Sequence, residues 1–186
     1  MDTRETVLVM AGSTRTGSLN QALARQVAAA LGAMGGTVDL VDLADHPMPL
    51  YDGDLELREG VPISARRLAG HVVAADTVVI VSPEYNGAFT PLLKNTVDWL
   101  TRVDSSILAH ARVLLASASP GRGGGATGLQ LLRTWLSSMG LEVAAETLSI
   151  GRARLGEAGG IEPMADHALR SFVAQVATPG ARGRCA

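Results

Sequence analysis

Thr6-Val7-Leu8-Val9-Met10-Ala11-Gly12-Ser13-Thr14-Arg15-Thr16-Gly17-Ser18-Leu19-Asn20 is the stretch on which the fold turns. Its opening apolar run shows no alternation, the pattern of a strand buried on both faces. The run ends at Gly12, crosses a polar loop, and meets Ser18, a residue type that caps helices. Leu19, Leu23, Val27 and Ala30 then recur at helical spacing, and Gly32, Gly35 and Gly36 are expected to close the helix. A doubly buried strand that passes through a short loop into an amphipathic helix opens a layered α/β domain.

Outward from there the same alternation continues. Val38-Asp39-Leu40-Val41 reads as a second short strand, and the acidic, proline-containing stretch from Asp45 to Gly60 as a long loop. Val61, Ala65, Leu68, Val72 and Ala75 mark a second helix, followed by a buried strand, Thr77-Val78-Val79-Ile80-Val81. Pro91 can open a third helix that carries Leu92, Leu93, Val97 and Leu100. Arg112 to Ala118 is a fourth strand, Leu129, Leu132, Leu136 and Met139 a fourth helix, and Leu141 to Ala144 a short fifth strand. A glycine-rich loop leads to a last helix with Ile161, Ala165, Ala168, Phe172 and Val176. Residues 1–177 are expected to form one domain, with 178–186 a flexible tail. This alternation demands a doubly wound parallel sheet with helices on both faces. Five strands most often take the flavodoxin-like order 2-1-3-4-5, adopted here from that frequency.

Composition narrows the function. The 186 residues carry a formal charge of −2, with 47% hydrophobic and only 3% aromatic side chains. Near-neutrality argues against nucleic acid or an anionic membrane as partner. No apolar stretch reaches the roughly 20 residues of a membrane span. The single cysteine, Cys185, allows no disulfide within the chain, and Met1 to Glu5 is too polar for a signal peptide. A cytoplasmic protein is expected.

In such sheets ligands bind beyond the carboxyl ends of the strands, where the strand order reverses. The loops after strands one, three and four are the most unusual stretches of the chain. Gly12 to Asn20 offers hydroxyls, Arg15 and Asn20 at a helix N-terminus, an inventory suited to a phosphate. It lacks the Gly-Lys-Ser/Thr ending of a triphosphate loop. An ordinary turn capped by Ser18 is the competing reading. Ser82-Pro83-Glu84-Tyr85-Asn86-Gly87-Ala88-Phe89-Thr90-Pro91 places two aromatics near a strand end, either a surface for a flat ring or a cover for the sheet. Gly121-x-Gly123-x-x-Ala126 matches a dinucleotide fingerprint, but it follows the fourth strand, where a glycine loop against a ligand edge is expected instead. The four histidines are scattered, no metal-ligand spacing occurs, and no Gly-x-Ser-x-Gly elbow is present.

Gly12-Ser13-x-Arg15-x-x-Ser18-x-Asn20, Pro83-Glu84-Tyr85-Asn86-Gly87 and Leu93-Lys94-Asn95-x-x-Asp98-Trp99, in this order, resemble the NAD(P)H-dependent FMN reductase family. Met48-Pro49-Leu50-Tyr51 and Ser119-x-Gly121-x-x-Gly124-Gly125 agree in position. The resemblance implies a flavodoxin-like fold and FMN as cofactor. Ser13, Arg15, Ser18 and Asn20 would hold its phosphate, Leu19 would belong to the same cofactor-binding loop, and Pro83, Glu84, Tyr85, Asn86 and Gly87 would line the ring. Ser117, Ser119 and Gly121 would lie near the pyrimidine edge or the ribityl chain. The family often has Gly-Ser-x-Pro after the Asn, whereas here residue 88 is alanine and the proline comes one place later.

The resemblance further implies ping-pong transfer: hydride from NADPH or NADH to the flavin N5, then electrons to a quinone, flavin, chromate or azo compound. No catalytic side chain is needed, because the cofactor carries the chemistry. Homodimers or homotetramers are implied, with the flavin near the interface. The rival readings are a flavodoxin-like electron carrier, a flavin redox sensor, and a reductase that releases reduced FMN.

Overall fold

A computed structural model describes residues 5–176. The expected flexible tail, 178–186, and Cys185 lie outside the described residues. The strands are β1 (Thr6–Ala11), β2 (Thr37–Val41), β3 (Thr77–Val81), β4 (Arg112–Ala118), β5 (Glu142–Val143) and β6 (Leu148–Ile150), with a β7 (Arg154–Leu155) and β8 (Ile161–Glu162) pair apart. The helices are α1 (Leu19–Ala33), α2 (Gly53–Glu59), α3 (Ile63–Val73), α4 (Pro91–Val103), α5 (Ala126–Ser138) and α6 (Asp166–Ala174). The sheet runs β2-β1-β3-β4-β5, all parallel, as in the flavodoxin-like arrangement.

Side-chain alternation along the strands decides which helices cover which face. Leu8, Met10, Val78, Ile80, Val113 and Leu115 point to one side and pack under α3, α4 and α5 through Leu68, Val97 and Leu132. Val7, Val9, Val79, Val81, Leu114 and Ala116 point to the other, against α1 and α6 through Leu23, Val27 and Phe172. With both faces covered, Val7, Leu8, Val9 and Met10 are fully buried, which accounts for the unbroken apolar run.

Four local expectations are corrected. The fifth strand position is filled by two segments: β5 pairs with Arg112 and Val113, and β6 with Ala116 to Ala118. The seven-residue β4 outlasts its two-residue neighbour, and β6 takes up the remaining edge. Second, the stretch 45–60 contains α2, which buries none of its residues and so carries no apolar period. Its signals are local: Asp52 accepts from the Asp54 and Leu55 amides, and Gly60 ends it at φ +74°. Third, Ile161 belongs to β8 and not to the last helix; Pro163, with no N–H, bars a helix through that point. Fourth, α1 continues through Gly32 to Ala33, and Gly35, at φ +86°, makes the reversal. Among the described residues no helix is long and apolar enough to cross a membrane.

Candidate functional site

The carboxyl ends of β1, β3 and β4 lie side by side in the sheet, so their loops converge. They enclose a cleft of about 140 Å³. The first loop contributes Ser13, Arg15, Ser18, Leu19 and Asn20 to its lining, the second Pro83, Glu84 and Tyr85, the third Ala118, Ser119 and Pro120.

Backbone demands shape the first loop. The Gly12 amide donates to the Val81 carbonyl at 2.9 Å, and a Cβ at this position would stand 3.1 Å from Thr90 Oγ1 and 3.4 Å from Leu93. Thr90 Oγ1 donates to the Gly12 carbonyl at 2.8 Å and accepts from the Leu93 amide at 3.3 Å, capping α4 as it holds the loop. Ser18 caps α1 as expected, its Oγ accepting from the Gln21 amide. The first turn of α1 carries no acidic residue, so the positive end of the helix is not neutralised from within. Ser13 and Ser18 are buried against this end, whereas Arg15 is exposed. The Arg15 guanidinium rests on its own loop, 3.5 Å from the Thr16 carbonyl and 3.4 Å from that of Gly17. Such long contacts are weak and leave the group ready to turn toward an anion.

Asn20 has a task that the sequence did not reveal. Its Nδ2 donates to the Ala118 carbonyl at 2.9 Å and its Oδ1 accepts from the Ala118 amide at 3.0 Å. The side chain thus pairs with β4 as another strand would, and ties the first loop to the third. Among the described residues Nδ2 has no second acceptor.

The second loop is a miniature hairpin. Tyr85 and Ala88 exchange backbone hydrogen bonds of 2.8 and 3.0 Å across Asn86 and Gly87, whose φ values are +52° and +78°. Two successive positive φ angles are the demand that an Asn-Gly pair meets. Asn86 and Gly87 therefore form the tip, outside the cleft lining, while Tyr85 stands half exposed on its wall. Phe89 lies behind, stacked on Trp135 with ring centroids 4.9 Å apart. Glu84 Oε2 accepts from the Gly128 amide at 2.8 Å.

The glycines of the third loop answer to crowding. A Cβ on Gly124 would stand 2.5 Å from Ser149 Oγ, and one on Gly125 would collide with Ser117 Oγ. Gly121 accepts from the Arg152 amide at 2.9 Å, and Ser119 donates its amide to Ile150 at 3.0 Å. The loop is thus packed onto β6 and the turn beyond it, and the end of α5 is met by the Glu84 carboxylate where a pyrophosphate would have to sit. Ser119 reaches the cleft; Ser117 is fully buried beneath it and Gly121 lies outside its lining.

The motif on α4 acts at one remove. Asn95 accepts from the Tyr51 amide at 2.7 Å and donates to the Pro49 carbonyl at 2.9 Å, and Trp99 Nε1 donates to the same carbonyl at 2.7 Å. It pins the Met48–Tyr51 segment to the helix. Lys94 pairs with Asp98 at 2.7 Å on the helix surface. Among the described residues no cluster of His, Cys, Asp or Glu could hold a metal ion. Reasoning from sequence missed Thr90, Ala118 and Pro120; only Thr90 left a trace, as a capping residue before Pro91.

A family model described as NADPH-dependent FMN reductase matches residues 6–154. A quinone reductase of Escherichia coli (strain K12) is 41% identical over 120 residues, covering 64% of this chain and 63% of the relative. The match thus spans less than two thirds of that relative's length. An NAD(P)H-dependent FMN reductase of Pseudomonas aeruginosa is 35% identical over 130 residues, 70% of this chain and 68% of that one. The solved structure of FerB, a flavoenzyme NAD(P)H:(acceptor) oxidoreductase from Paracoccus denitrificans, superposes with a TM-score of 0.74 at 27% identity, covering 95% of this chain and 99% of that chain. With the matched segment running from β1 to β7 and holding all three loops of the cleft, the chain belongs to the NADPH-dependent FMN reductase family.

Proposed function

We propose that this chain binds FMN in the cleft and acts as an NAD(P)H-dependent reductase of a small-molecule electron acceptor. The observation that carries this reading is the convergence of Arg15, Tyr85 and Ser119, each from a different loop, on one cleft at the strand ends. The donors fit a phosphate: two buried hydroxyls, an exposed guanidinium held only by long contacts and a helix N-terminus without acids. The half-exposed Tyr85 hairpin fits a flat ring.

In this reading Ser13, Arg15 and Ser18 hold the phosphate at the start of α1, with Leu19 packed beside it and Asn20 fixing the loop. Pro83, Glu84 and Tyr85 form the ring platform, and the Asn86-Gly87 tip sets its angle. Ser119 borders the ring edge, supported from behind by Ser117 and Gly121. Bound FMN would supply the redox chemistry, accepting hydride from NADPH or NADH and passing electrons to a quinone, flavin, chromate or azo compound in ping-pong fashion. The protein orients the ring, anchors the phosphate and restricts water.

The decisive experiment is the absorption spectrum of the purified protein after incubation with FMN, before and after NAD(P)H. Flavin bands that stay with the protein and bleach with nicotinamide support the proposal; a chain that retains no flavin refutes it. The reading extends to a homodimer or homotetramer, tested by light scattering, and to the cytoplasm, a location suited to a chain whose lone cysteine allows no internal disulfide.

A further inference from the structure

Glu84 lines the cleft, yet among the described residues its side chain bonds to the first turn of α5. Oε2 accepts from the Gly128 amide at 2.8 Å, across 44 residues of sequence. Gly128 is in the first turn of α5, and that helix lacks a cap of its own. Its N-cap is Gly125, left-handed at φ +86°, with no side chain to bond, and its first turn holds no acid. Glu84 supplies from another loop what α5 does not carry. A carboxylate there gains from both the amide and the helix dipole.

Packing repeats the message. A Cβ on Gly128 would stand 3.1 Å from Glu84 Cγ, 3.2 Å from Glu84 Cβ and 3.3 Å from the Ala88 carbonyl carbon. The hairpin therefore lies directly on the first turn of α5, with no room for a side chain between. Thr90 anchors its far end to Gly12. Among the described residues the hairpin is held internally by the two Tyr85–Ala88 bonds, so its tilt depends on these anchors.

We infer that Glu84 is a positioning residue: it clamps the Pro83–Gly87 platform to the N-terminus of α5 and so sets the surface on which the flavin ring rests. The inference builds on the FMN reading and assigns Glu84 a place in it other than acid or base.

Three proteins test it: wild type, Glu84→Ala and Glu84→Gln, the last keeping an oxygen acceptor of nearly the same reach. Amide exchange in the flavin-free proteins reads the clamp directly. Glu84→Ala is expected to speed exchange at Gly128 and at Tyr85 and Ala88, and Glu84→Gln to restore most of the protection. With ligand, Glu84→Ala weakens FMN by about tenfold, the scale of one lost hydrogen bond to a charged group. Riboflavin, which has no phosphate, loses the same factor, because the ring surface and not the phosphate loop is disturbed. Unchanged Gly128 exchange in Glu84→Ala overturns the inference. So does undiminished FMN affinity, or a Glu84→Gln protein as impaired as Glu84→Ala. A wild type that binds no flavin sinks the functional reading instead, and Gly128 exchange still decides the clamp.

Discussion

Replacing Asn20 by alanine separates two roles that the same residue can have, holding the protein together or holding its ligand. Asn20 is 4% exposed and Ala118 is 3% exposed, and the amide joins them by bonds of 2.9 and 3.0 Å. Asn20→Ala leaves the Ala118 amide and carbonyl without those bonds in a buried place. Each buried group left unpaired costs about 1–3 kcal/mol, and partial relief by water brings the pair to about 2–4 kcal/mol. With a urea slope of about 2 kcal/mol/M, the unfolding midpoint of the flavin-free protein falls by about 1–2 M. Asn20→Asp keeps the acceptor for the Ala118 amide but sets a carboxylate oxygen against the Ala118 carbonyl, so it is no milder. The assay is urea unfolding of flavin-free protein, followed by circular dichroism. If flavin-free Asn20→Ala unfolds within about 0.5 kcal/mol of wild type, the clamp reasoning is refuted. A protein stable without ligand but weak toward FMN would make Asn20 chiefly a phosphate donor.

Arg15→Ala should raise the FMN dissociation constant by about ten- to a hundredfold, the worth of about 1.5–3 kcal/mol for a charged hydrogen bond, and leave riboflavin binding unchanged. Equal loss for both ligands would place Arg15 away from the phosphate. Ser117→Ala removes a fully buried hydroxyl with no hydrogen-bond partner among the described residues, so flavin-free stability is unchanged or higher by up to about 1 kcal/mol. A marked loss in thermal unfolding would reveal a partner. Trp99→Phe breaks the 2.7 Å bond to Pro49 and leaves a void at a fully buried site, at a cost of about 2–4 kcal/mol measured by urea unfolding. Backbone and side-chain hydrogen bonds from Ser106 hold the Asp104 carboxyl below its ordinary 3.8. A depressed folded-state value means stabilisation present above 3.8 and lost as pH falls through the folded-state value. The stability gap between wild type and Asp104→Asn should therefore close on acidification, and a gap that persists at every pH would contradict this.

The chain announced its layers because burial on two faces leaves unbroken apolar runs and because helix faces repeat at 3.6 residues. Thr77–Val81 and Arg112–Ala118 have the expected limits, and Ser18 caps α1 as its position implied. The three unusual loops were visible for the same reason: glycine, hydroxyl and aromatic residues at strand ends break the pattern of a plain turn. What burial does not encode stayed hidden. α2 buries nothing, and β6, three residues long, is too short for any period to show, although the two-residue β5 fell within the expected Leu141–Ala144.

Strand order was a different matter, since the pattern of apolar residues is the same for several windings. Only the tertiary structure set β1, β3 and β4 side by side and so made one cleft of three loops. It also decided which polar side chains face a ligand and which hold the frame. Asn20 and Glu84 look like binding residues in the sequence; in the fold their amide and carboxylate reach Ala118 and Gly128, 98 and 44 residues away. Local sequence specifies the elements because their propensities and periods act over a few residues. Hydrogen bonds between distant loops depend on geometry that exists only once the sheet has closed.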